Sequence, residues 1–138
     1  MIKAVYDTNV IVSALLTSEG IPAILLDLAM QQEVTLFLSE EILQEYEGVL
    51  SRPKFDFSAK LVRRFTRLLK TKSKVVKPKH LGFHLNDPGD DKFLACAVAG
   101  KVNYVVTGNT RHFPTPSYKG IQIMSPREFW DVYKESLK

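Results

Sequence analysis

The sequence predicts an α/β fold, a three-layer α/β/α sandwich, and three observations point there. Short runs rich in β-branched residues recur at residues 2–6, 35–38, 74–76, 104–107 and 121–124. Longer segments with apolar residues three and four apart separate most of them. Strands that alternate with helices pair in parallel, because the return between two strands runs through a helix. Finally, a length of 138 residues fits one domain, expected over 1–138, and suffices for a hydrophobic core without staples.

Each helix carries its own signals. "IPAILLDLAM" places Pro22 early, ahead of a helical apolar spacing. "SEEILQEYEGVL" offers Ser39 as N-cap, with Glu40 and Glu41 in the first turn, where the dipole favours them. Arg52-Pro53 should end that helix. "SAKLVRRFTRLL" repeats Leu61, Val62, Phe65, Leu68 and Leu69 along one face, with arginines on the other. The pair of helices from 39 to 72, with no strand between, reads as an extra helix or arm. "DPGDDKFLACAVAG" has Asp87 as cap, Pro88 in the first turn and Gly100 as stop. "SPREFWDVYKESL" repeats the start signal of Ser followed by Pro.

Composition narrows the setting. Cys96 is the only cysteine and sits in the apolar stretch "FLACAVAG", so a buried free thiol is expected. No disulfide can form within the chain, which fits a reducing compartment. Lys3 precedes a short apolar run broken at Asp7, which does not read as a signal peptide. No apolar run approaches the roughly 18 residues needed to span a bilayer. A soluble cytoplasmic protein without a membrane partner is the expectation.

The net charge of +4 is modest, but it is unevenly spread. Up to residue 50 the only basic residue is Lys3, against Asp7, Glu19, Asp27, Glu33, Glu40, Glu41, Glu45 and Glu47. Residues 58–85 hold no acid and carry Lys60, Arg63, Arg64, Arg67, Lys70, Lys72, Lys74, Lys77 and Lys79. Such asymmetry suits an anionic partner, of which nucleic acid is the commonest; a solvated helix face is the plainer alternative.

In open parallel sheets the functional crevice lies beyond the carboxyl ends of the strands. Asp7 ends the first strand. Thr8 or Asn9 can cap the next helix, which leaves Asp7 without a clear structural need. Glu45 lies on the flank of a stripe formed by Ile42, Leu43, Tyr46, Val49 and Leu50. A carboxylate at the border of a buried face needs a partner. Glu41 and Glu47 point further out. Asp87, Asp90 and Asp91 crowd three like charges into five residues, a repulsion that a cation would remove. Clustered oxygens with few histidines favour Mg2+ or Mn2+ over zinc. "HLGFH" holds His80 and His84 four apart, without a second ligand pair. There is no Gly-rich phosphate loop, no G-x-S-x-G elbow, and no second Asp for a D-x-D phosphatase signature.

Taken together, "AVYDTNVIVSALL", "LSEEILQEYEGVLSRPKF", "NDPGDDKFLACAVAG" and "YVVTGNTRHF" resemble the PIN domain family, in order and spacing over nearly the whole chain. The nearest likeness is to the prokaryotic, VapC-like subgroup regarded as toxins of toxin–antitoxin pairs. The resemblance implies a parallel sheet of order 3-2-1-4-5 and a metal-dependent ribonuclease using Mg2+ or Mn2+. It assigns the acids to Asp7, Glu45 and Asp90, with Asp91 at a position where the subgroup often has Asn. Asn9 and Thr107 match small polar residues that line the site. The fourth acid is replaced by Asn109, whose amide oxygen can ligate a cation but brings no charge. That departure keeps a second reading open, a weakened or catalytically silent RNA- or protein-binding module. Arg63, Arg64, Arg67 and Arg111 are candidates for the RNA backbone. Phe55, Phe57, Phe83 and Phe113 are candidates for base stacking or for the core. A small antitoxin and a homodimer are the implied partners.

Overall fold

The computed structural model describes residues 1–79, 91–113 and 116–138. A six-stranded sheet runs β3-β2-β1-β4-β6-β5. Its strands are β1 (Lys3–Tyr6), β2 (Thr35–Leu38), β3 (Lys74–Val75), β4 (Tyr104–Val106), β5 (Ser117–Tyr118) and β6 (Ile121–Met124). The helices are α1 (Thr8–Leu16), α2 (Ile21–Met30), α3 (Glu40–Leu50), α4 (Ala59–Lys72), α5 (Asp91–Gly100) and α6 (Pro126–Ser136). The five anticipated strands are all present and parallel, in the anticipated relative order. The sheet is nonetheless mixed, which corrects the all-parallel order of 3-2-1-4-5. Two residues, Ser117 and Tyr118, return antiparallel onto β6. Their hairpin turns on Lys119 at φ 49° and Gly120 at φ 82°. Two consecutive positive φ values match the right-handed strand twist, and glycine adopts the second without a Cβ penalty.

Register sorts the two faces. Ala4 lies beside Leu36, so Ala4, Tyr6, Leu36 and Leu38 share one face while Val5 and Phe37 share the other. On the first face the Tyr6 hydroxyl donates to the Leu25 carbonyl of α2 at 3.0 Å, and its ring meets Phe129 of α6 edge-on. On the second, α5 lies across the central strands, with Gly100 against Phe37. A Cβ at residue 100 would stand 2.5 Å from the Phe37 ring. Gly100 is the last residue of α5, where the helix was expected to stop, and its missing Cβ also lets the helix approach Phe37. The left-handed turn that ends the helix falls on Lys101, at φ 53°.

The cap at Ser39 is present, its hydroxyl accepting from the Ile42 amide at 3.2 Å. Ser125 and Glu128 form a reciprocal capping box at α6. In α4 the buried stripe is Val62, Thr66 and Leu69. Leu61 and Leu68 are more than half and half exposed, respectively, so the anticipated single apolar face is split. Cys96 is a buried free thiol, and burial pushes its pKa up to about 12, which keeps it protonated. Among the described residues no single helix is long and apolar enough to cross a membrane.

Candidate active site

The central strand β1 ends at Asp7, and three backbone features put its carboxylate at the rim. The Asp7 amide donates to the Val106 carbonyl at 2.8 Å, continuing the ladder with β4. Asp7 then occupies the N-cap position of α1 in extended geometry, yet its side chain makes no capping bond. The carboxylate turns instead toward the end of β4, and the residue is only 5% exposed. There Oδ2 accepts from the Thr107 hydroxyl at 2.7 Å and, more loosely, from the Asn9 amide at 3.4 Å. A buried carboxylate is costly without such donors.

Thr107 is the hub of this cluster. Its hydroxyl has one proton and two lone pairs. The proton goes to Asp7, while Oγ1 accepts from the Asn109 amide N–H at 3.0 Å and from the Asn9 side chain at 3.5 Å. The Asn9 carbonyl oxygen accepts from the Gly108 N–H at 2.9 Å, tying α1 to the loop after β4. Thr107→Val keeps the shape and removes all three bonds. It is expected to lower stability by about 1–3 kcal/mol, measurable by urea unfolding with unchanged slope.

Glu45 comes from α3 and is half-buried, as its flank position anticipates. The Thr8 hydroxyl donates to Oε2, and the Lys92 ammonium stands 2.6 Å from Oε1. Behind them Tyr46 is fully buried, and its hydroxyl donates to the Tyr6 carbonyl. Burial first, and then the negative charges of the carboxylates of Asp7 and Glu45, raise the Tyr46 pKa well above the phenol range.

Thr8, Tyr46 and Lys92 were not singled out from the sequence. For Lys92 a signal existed. A cation near the start of a helix opposes the dipole and so needs a compensating acid. Asp90, the third anticipated acid, lies outside the described residues, as does the side chain of Asp91. Phe83 and the pair His80 and His84 fall outside as well. Asn109 is half-buried and lines a groove of about 340 Å³ with Asn9, Val10, Ser13, Gly108 and Pro126. Phe113 is buried in the core and offers no face to a base.

Among the described residues no group of three or more His, Cys, Asp or Glu side chains converges as a metal site. Asp7 and Glu45, the latter bonded by the Thr8 that follows Asp7, present only hard oxygen donors, and Asn109 lines a groove with Asn9. That donor chemistry fits Mg2+ or Mn2+ and not zinc.

The basic residues of α4 lie to one side. Thr66 bonds Glu47 at 3.5 Å and Lys70 pairs with Glu40 at 2.7 Å, so α4 runs antiparallel to α3. Arg63 and Arg67 line the groove between these helices, and Arg64 faces outward beside Leu61 and Leu68. The antiparallel order puts Lys70 toward the rim end of α3 and Arg63 toward the far end. Arg111 is exposed in the turn of Thr110–His112, two residues beyond Asn109.

The profile of the PIN domain family matches residues 3–111. A curated relative, the uncharacterized protein MJ1680 of Methanocaldococcus jannaschii, is 32% identical over 114 residues, covering 78% of this chain and 71% of its own length.

Proposed function

The chain belongs to the PIN domain family, whose members are generally nucleases that use divalent metals, and from that membership we propose that it is a metal-dependent ribonuclease, one domain over 1–138. The observation that carries this reading is Asp7, a buried carboxylate at the end of the central strand with no capping task, held by the Thr107 hydroxyl, while the next residue, Thr8, bonds Glu45 of α3. Asp7, Glu45 and Asp90 would hold Mg2+ or Mn2+, with Asn109 and Asp91 as further oxygen donors. An ion held there would supply Lewis-acid chemistry, polarising a phosphoryl oxygen and lowering the pKa of an attacking water. Thr107 and Asn9 fix the orientation of Asp7, and Tyr46 keeps its proton and stays neutral behind both acids. Arg111 stands nearest the rim of the proposed backbone contacts, with Arg63, Arg64 and Arg67 further along α4.

The test is cleavage of a single-stranded RNA by the purified chain. Cleavage should require Mn2+ or Mg2+, stop on addition of EDTA, and return when the metal is resupplied. Cleavage that persists in EDTA would contradict the reading. We further propose a toxin role, with a small antitoxin and a homodimer as partners. A gene immediately upstream encoding a small DNA-binding protein would favour that role.

A second reading is favoured by the uncharged Asn109 and by the Lys92 ammonium already held on Glu45. In it the chain is a silent RNA- or protein-binding module. It predicts RNA binding that is insensitive to Asp7→Asn, with no cleavage at any metal concentration.

A further inference from the structure

We propose that Lys92 is a resident cation of this site, which a divalent ion has to displace from Glu45 before that carboxylate can ligate it. The inference rests on reading Asp7 and Glu45 as metal-holding residues. Both oxygens of Glu45 are engaged, Oε1 by the Lys92 ammonium at 2.6 Å and Oε2 by the Thr8 hydroxyl. The pair is shielded, with the side chains of Lys92 and Glu45 only 12% and 27% exposed. Solvent and salt therefore weaken it less than the exposed pair of Lys70 and Glu40, whose side chains are 50% and 63% exposed. Lys92 is also held from a second side, its ammonium 5.6 Å from the centroid of the Phe93 ring.

An ammonium is a compact point charge that can serve one carboxylate as a monovalent counter-ion. Its presence keeps Glu45 and Asp7 from repelling each other while no metal is bound. The same contact raises the metal concentration at which the site fills, because breaking it is part of the binding reaction. Linkage makes this reciprocal: whatever Lys92 contributes to holding Glu45, it subtracts from the ion's affinity.

The experiment is calorimetric titration of Mn2+ into the full chain, wild type beside Lys92→Met and Lys92→Arg, each checked by thermal melting. Lys92→Met should tighten Mn2+ binding by about tenfold, and Lys92→Arg, which keeps the charge, should stay near wild type. Placed on a Glu45→Gln background, Lys92→Met should change nothing, because the contested carboxylate is gone. Lys92→Gln keeps a donor and fills similar space, so it is read in the same way should Lys92→Met fold poorly. Affinity unchanged or weakened in the folded variant, equal tightening without Glu45, or no Mn2+ binding by either protein would overturn the inference. Parallel RNA cleavage separates the two readings. Tightening without cleavage supports the role of Lys92 and defeats the nuclease assignment, whereas cleavage with unchanged affinity does the reverse.

Discussion

Asp7→Asn is expected to abolish metal-dependent RNA cleavage while leaving the fold intact. Removing a group that merely supports a metal ligand already costs about 10–100-fold in affinity or activity, so loss of a charged ligand should exceed that range. The substitution preserves shape, and the amide oxygen can still accept from the Thr107 hydroxyl, which lies 2.7 Å from Oδ2. Burying an amide also costs less than burying a carboxylate, and Asp7 is almost fully buried. The variant should therefore melt no lower than the wild type. Rates within error of the wild type in a folded variant would remove Asp7 from the reaction.

Asn109→Asp is the second large effect, and it runs in the opposite direction. The side chain lines the groove beside Asn9, and its backbone N–H is anchored on the Thr107 hydroxyl that also serves Asp7. A carboxylate there adds a charged oxygen donor, and the number of charged ligands is a main determinant of affinity for hard cations. Mn2+ should bind about tenfold more tightly by calorimetry. Without metal the added charge stands on a residue whose backbone shares the Thr107 hydroxyl with Asp7, so the variant should melt below wild type and recover when Mn2+ is supplied. If neither affinity nor melting responds, position 109 does not face the ion.

The strands were legible because each is short and β-branched and helical segments separate most of them, which implies parallel pairing, while their order came from the resemblance to the PIN domain family. Glu45 was legible from its angle on α3, and Asp7 from the abrupt end of an apolar run. What escaped depends on contacts that no local pattern records. β5 is two residues long and exists only because Lys119 and Gly120 turn the chain back onto β6. The split face of α4 escaped because Leu61 and Leu68 look like core residues, whereas the fold buries Val62, Thr66 and Leu69 and leaves those two at least half exposed. The pairing of Lys92 with Glu45 spans 47 positions, and only the awkward placement of a cation near a helix start hinted at it.

The sheet finishes, on both sides, in strands of just two residues, Lys74–Val75 and Ser117–Tyr118. The first is exposed and followed by Lys77 and Pro78, which cannot offer an unbroken row of N–H donors. Among the described residues neither margin offers more than a two-residue edge to a neighbouring strand, which disfavours β-augmentation between two copies. Edges this short give amyloid-like stacking little to build on, and leave the helix surfaces as the larger faces for any contact with another chain.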